Sequence, residues 1–133
     1  ERRSLDMQVD IVTPEKVLFS EKDISMVTIP GIEGQMGILD DHLPVVTFLK
    51  PGIINVEQKE NKYFFTTGGV VDFKNNFLSI LSQEIFDVKD LTDKKISELK
   101  ERANKKLEDQ KATDHDVFIS SIMLDELNLL QSR

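Results

Sequence analysis

The sequence predicts a mainly β protein with an α appendage: an antiparallel β-sandwich of about ten short strands over residues 7–87, then an antiparallel two-helix hairpin over residues 88–133. Three observations predict it. From Met7 to Asp87, turn signals recur every six to twelve residues with no helical period between them, the spacing of a sandwich or flattened barrel. Beyond Val88 there is neither glycine nor proline, and the apolar period becomes helical. Between two apolar runs of strand type, Ile24–Ile29 and Leu43–Leu49, lies the stretch Pro30–Pro44, which holds three of the six glycines and two of the four prolines.

Taken in order, Gln8–Thr13 alternates and stops at Pro14, as a strand ended by proline does. Val17–Phe19 reads as a short second strand and Ser20–Asp23 as a charged turn, after which Ile24, Met26 and Thr28 or Ile29 resume the alternation. Gly31, Gly34 and Gly37 then recur every third residue, and together with Pro44 they predict one rigid, shaped turn. Leu43–Leu49 reads as a well-buried strand and Lys50-Pro51-Gly52 as a turn. Ile53–Glu57 and Tyr63–Thr66 flank the polar hairpin tip Lys59–Lys62. Gly68-Gly69 predicts a kink, Val70, Val71 and Phe73 a strand, Lys74-Asn75-Asn76 a turn, and Phe77, Leu78, Ile80 and Leu81 the closing strand.

In the helical part Thr92 is the expected N-cap, without a capping box because Lys95 stands at the third helical position and opposes the dipole. Ile96, Leu99, Ala103 and Leu107 share one stripe. Thr113 and Asp116 have capping-box spacing before a second helix from Asp114, whose stripe is Ile119, Ile122, Met123, Leu127 and Leu130. The short connection Asp109–Thr113 turns the second helix back along the first. Thr92–Lys111 carries seven basic against five acidic residues, and Thr113–Arg133 four acidic against Arg133 alone, so the arms, at +2 and -3, attract each other by a modest, salt-screened amount.

A net charge of -7 excludes the basic footprint of a general nucleic-acid binder. No apolar run approaches the roughly 18 to 20 residues of a membrane helix. With no cysteine there is no disulfide framework, thiol nucleophile or thiolate metal site. Residues 1–6, Glu-Arg-Arg-Ser-Leu-Asp, read as a polar extension or expression remnant with no assigned role.

No constellation of residues reads as an active site, and no cofactor or metal is expected. The glycine triplet lacks the lysine and following helix of a phosphate loop and the spacing of a dinucleotide fingerprint. Asp40, Asp41 and His42 adjoin in a turn, where neighbouring side chains rarely converge on one point. Ser20, Ser79 and Ser82 have no base in a recognisable pattern. A small-ligand pocket lined by some of Phe48, Tyr63, Phe64, Phe65, Phe73 and Phe77 is the alternative reading, although those aromatics are more economically read as core.

Val12-Thr13-Pro14-Glu15 with Leu18-Phe19-Ser20, then Pro30-Gly31-x-Glu33-Gly34-x-x-Gly37-Ile38-Leu39-x-x-His42-x-Pro44, Leu49-Lys50-Pro51-Gly52 and Gly68-Gly69, followed by a helical hairpin, closely resemble the epsilon subunit family of F-type ATP synthase. Mitochondrial delta is the eukaryotic counterpart. The resemblance implies a ten-stranded sandwich and two helices acting in the central rotor of a proton-translocating enzyme without chemistry of their own. It implies gamma as partner along one side of the sandwich and the polar loops of the membrane c-ring at its end, so that rotation is coupled to ATP synthesis. By position, Glu33, Gln35 and His42 would make the ring contacts. The implied location is peripheral, at the cytoplasmic face of a bacterial inner membrane, with mitochondrial or thylakoid membranes as alternative settings.

Two departures matter. Some members bind ATP at the first helix start through a pattern of the form Ile/Leu-Asp-x-x-Arg-Ala; here Leu91-Thr92-Asp93-Lys94-Lys95-Ile96 lacks the aspartate, arginine and alanine, so ATP sensing is not expected. Members that inhibit hydrolysis extend a basic second helix toward acidic loops of the catalytic alpha/beta head. The second helix here is acidic, and weak or absent inhibition is expected.

Overall fold

The computed structural model describes residues 7–132, so the reading of residues 1–6 lies outside the described residues. The chain divides into two compact units between Asp87 and Val88. The first unit contains β1 (Met7–Val12), β2 (Val17–Ile24), β3 (Met26–Gly31), β4 (Gly34–Leu39), β5 (Val45–Leu49), β6 (Gly52–Glu57), β7 (Lys62–Thr66), β8 (Gly69–Lys74), β9 (Phe77–Leu81) and β10 (Ile85–Asp87). After a 3-10 turn at Val88–Asp90, the second unit consists of α1 (Asp93–Glu108) and α2 (Asp114–Gln131).

Neighbouring strands run β10-β7-β6-β3-β5-β8-β9-β1-β2, with β4 on the free side of β3. All pairs are antiparallel except β1 with β9. The period-two pattern does the sorting. In β1, Met7, Val9 and Ile11 are buried while Gln8, Asp10 and Val12 face outward. Ile29, Ile54, Phe64, Phe73 and Leu78 join them, with Phe19 meeting Phe64 edge to face at 5.7 Å. Each such side chain contributes about 2 kcal/mol relative to exposure.

The sequence reading needs correction in three places. Ser20–Asp23 is not a turn but the middle of β2, where Val9 pairs with Glu21 and Asp10 with Ser20. As an edge strand, β2 tolerates charge, and charge keeps an edge from pairing with other chains. Asp23, whose φ of 65° is left-handed backbone that Asp accepts, lies within β2 where the register with β1 slips between Met7 and Val9, and the strand breaks only at Ser25.

Pro30–Pro44, in turn, is two turns separated by β4, because glycines alternating with Gln35, Met36 and Ile38 still fill a pleated ladder against β3. The following strand begins at Val45 rather than Leu43 and is not well buried: Leu43 is 78% and Val46 67% exposed.

In the helical unit the local signals act as their spacing requires. Thr92 Oγ1 accepts the Lys95 N–H at 3.1 Å, with no reciprocal bond. Thr113 and Asp116 close a full capping box at 3.0 and 3.1 Å. Ile96, Leu99 and Ala103 of α1 and Ser120 and Leu127 of α2 are buried, and Lys100 Nζ donates to Gln131 Oε1 across the hairpin.

Candidate interaction surface

The β3–β4 hairpin turns through only Ile32 and Glu33, closed by the pair Gly31–Gly34. Its shape is fixed from both sides. A Cβ on Gly31 would lie 2.7 Å from the Gly34 carbonyl oxygen, and Gly34 has φ of +141°. The Ile32 N–H donates to the Phe48 carbonyl at 2.9 Å and the Lys50 N–H to the Pro30 carbonyl at 3.0 Å, tying the tip to the end of β5. Glu33 and Gln35 are both exposed on this tip. Gly37 has a different role: it lies inside β4, and an added Cβ would meet only the movable end of Met26.

His42 is at the other end of β4, about 17 Å away at strand rise. There Asn76, held by a left-handed turn with Asn75, receives the loop before β5. The Asp41 N–H donates to Asn76 Oδ1 at 2.7 Å, and Asn76 Nδ2 donates to Asp40 Oδ1 at 2.8 Å. His42 is half-buried, with Nδ1 2.7 Å from the Leu43 carbonyl oxygen and its ring edge-on to Phe73 at 6.0 Å. Pro44 is exposed where this loop enters β5. The structure thus brings Glu33 and Gln35 together and leaves His42 at the opposite end.

Gly68 and Gly69 form a third fixed point. The Thr66 and Ser82 hydroxyls, buried and 2.9 Å apart, lie 2.9 and 2.6 Å from the Gly68 carbonyl oxygen. A Cβ on Gly69 would meet the Leu81 carbonyl oxygen at 2.2 Å. Ser82 is therefore a structural hydroxyl of the β7–β8 connection, and its polar neighbours are used in holding that turn.

Sequence reasoning missed the surface that these constraints present. Register aligns Phe48 with Val70, Val70 with Leu81, Leu81 with Val12 and Val12 with Val17, so five apolar side chains from five strands form one row on the outer face. Phe48, Leu81 and Val17 are 62%, 51% and 59% exposed. A shallow depression of about 400 Å³, lined by Val12, Pro14, Gly69, Val70 and Leu81, lies along it. The row starts at Phe48, the residue whose carbonyl holds the hairpin tip. The signal was present as outward positions of alternating strands occupied by apolar residues, but the row exists only once register joins the strands.

Of the six aromatics weighed as pocket or core, Phe64, Phe65 and Phe73 are buried as core, whereas Phe48, Tyr63 and Phe77 are exposed. At the start of α1, Leu91 is half-buried, Thr92 is committed to its cap, Asp93 is exposed, and Lys95 lies 3.7 Å from Glu98. Among the described residues, no group of three His, Asp or Glu side chains is placed to hold a metal. No helix among them is long and apolar enough to cross a membrane.

A bare apolar row beside a rigid polar tip is a contiguous patch of the kind that marks interaction sites, since monomers seldom expose one. Residues 6–88 match the family model of the ATP synthase delta/epsilon chain β-sandwich domain, and the chain belongs to that family. It is 39% identical over 128 residues, covering 96% of this chain and 98% of the relative, to the ATP synthase epsilon chain of Pelagibacter ubique. To that of Desulforamulus reducens it is 37% identical over 119 residues, 88% of each chain. The fold is shared with a chain in the cryo-EM structure of the Euglena gracilis mitochondrial ATP synthase OSCP/F1/c-ring (TM-score 0.73, 20% identity, 99% of this chain and 82% of the other). It is also shared with one in the Tetrahymena thermophila mitochondrial ATP synthase central stalk and c-ring (TM-score 0.71, 21% identity, 97% of each chain).

Proposed function

We propose that this chain is a non-catalytic central-stalk subunit of a proton-translocating F-type ATP synthase, peripheral to the cytoplasmic face of a bacterial inner membrane, that couples rotation to ATP synthesis. The observation that carries the reading is the apolar row Phe48–Val70–Leu81–Val12–Val17 running into the Glu33–Gln35 tip. The row is the docking face for gamma. Burying it removes apolar surface from water along five strands at once, and the ladder beneath needs no rearrangement.

The tip is the contact with the c-ring loops. Its two-residue turn, confined by Gly31 and Gly34, carries force without changing shape, and it presents Glu33 and Gln35 for polar contacts. His42, about 17 Å along β4, belongs to a separate contact.

The helical unit exerts weak or no inhibition of hydrolysis. Within α2 the charged groups are Asp114, Asp116, Asp125 and Glu126, with no Lys or Arg, so approach to acidic loops of the catalytic head is repulsive. Thr92 caps α1, and the residues around it lack the pattern for ATP. Adding the purified chain to epsilon-depleted enzyme is expected to leave ATP hydrolysis largely unsuppressed while restoring coupling; strong suppression contradicts the inhibition reading.

A further inference from the structure

We propose that β4 is an open acceptor edge that takes an added β-strand: an extended segment of a partner protein, alternating apolar and polar, with a basic residue at each end. The strand order leaves three edges among the described residues: β2, β10 and β4. Two are guarded, β2 by Glu21, Lys22 and Asp23 and β10 by its length of three residues. β4, Gly-Gln-Met-Gly-Ile-Leu, has six residues and no charge or proline.

Its main-chain groups face the right way. In a hairpin closed by Gly31 and Gly34, the pairs Ile29–Met36 and Val27–Ile38 also exchange ladder bonds, so Gln35 and Gly37 direct N–H and C=O away from β3. Pro30, opposite Gln35, has no N–H, and its carbonyl accepts from Lys50 on the side away from β4, as that alternation requires. Among the described residues no turn or loop bond reaches the Gln35 and Gly37 main chain, and β4 pairs with β3 alone. Met36 packs against the core yet remains only half-buried, so inward side chains of an added strand would complete the cover.

Charge selects the occupant. Glu33 precedes β4, Asp40 and Asp41 follow it, and both Glu33 and Asp41 are exposed. Basic residues at both ends of a segment about 17 Å long match this pattern. A second copy pairing antiparallel through its own β4 would set Glu33 against Asp40 and Asp41, like against like, in a chain of net charge -7. Main-chain bonds supply the binding, and the flanks set orientation. This edge is separate from the apolar row, and the inference does not depend on the rotor reading, because the isolated chain suffices to test it.

The test is titration of the full chain with the peptide Lys-Val-Thr-Val-Thr-Val-Thr-Lys and with its twin bearing Glu at both ends, followed by amide NMR. The basic peptide is expected to shift the Gln35 and Gly37 amides, to raise their protection from exchange by about tenfold, and to bind about tenfold tighter than the acidic twin at low salt. Gln35→Pro removes an outward N–H without taking a ladder bond and is expected to abolish binding, while Gln35→Ala retains it. Should Gln35→Pro fail to fold, Gln35→Lys places a gatekeeper charge on the edge and is expected to weaken the basic peptide at least several-fold. Perturbation confined to another surface, absence of binding, equal affinity for both peptides, or concentration-dependent pairing of β4 with a second copy would each overturn the proposal.

Discussion

Gly31, Gly34 and Gly37 look alike in the sequence and differ in the fold. Gly31 avoids a clash with the Gly34 carbonyl, Gly34 supplies backbone at φ +141°, and Gly37 merely spares Met26 a rotamer change. Their common spacing suggested one motif because a sequence shows where flexibility is available but not which constraint uses it. Gly34→Ala is therefore expected to cost about 1–2 kcal/mol in urea unfolding and Gly37→Ala less than about 1. Gly69→Ala, which drives a Cβ into the Leu81 carbonyl, is expected to cost about 3 kcal/mol and to be the most damaging of the three. Equal losses at Gly34 and Gly37 would contradict this assignment.

Among the elements, the helices were the most legible, since capping is decided within four residues and both Thr92 and Thr113 cap as their neighbours predict. Strand identity was less so. The second half of β2 was hidden by its charges and β4 by its glycines, because polarity at an edge and in a turn looks the same until the partner strand is known. The capping box of α2 gives a pH dependence with a definite sign. The Thr113 amide, with a smaller contribution from Lys106, holds the Asp116 carboxyl below its ordinary 3.8. A depressed carboxyl stabilises the helix above the unfolded pKa and loses that contribution as pH falls through the folded value. α2 helicity, followed by circular dichroism, is expected to decline below about pH 4. Asp116→Asn is expected to remove that part of the transition, and Thr113→Ala to cost the helix about 1 kcal/mol at neutral pH.

At the scale of the whole molecule, the fold class and the order of elements followed from turn spacing and the switch of period after Asp87. The outward apolar row did not. Phe48 and Phe77 carry the same composition signal as Phe64 and Phe73, and only register sends the first pair outward and the second inward. Glu33, Gln35 and His42 are grouped only by what the resemblance implies, and the length of β4 separates the last from the other two. The described residues present a rigid tip joined at Phe48 to an apolar row.

The central claim is that the row docks gamma, and affinity of the full chain for the cognate gamma subunit tests it most directly. Leu81→Asp and Phe48→Asp each place a charge on an outward, exposed position that the sandwich does not use for its core. Each is expected to weaken gamma binding by about 100-fold or more, because a carboxylate would be buried without a partner, while the sheet spectrum and thermal midpoint stay near those of the unaltered chain. Unchanged affinity in both folded variants would contradict the account.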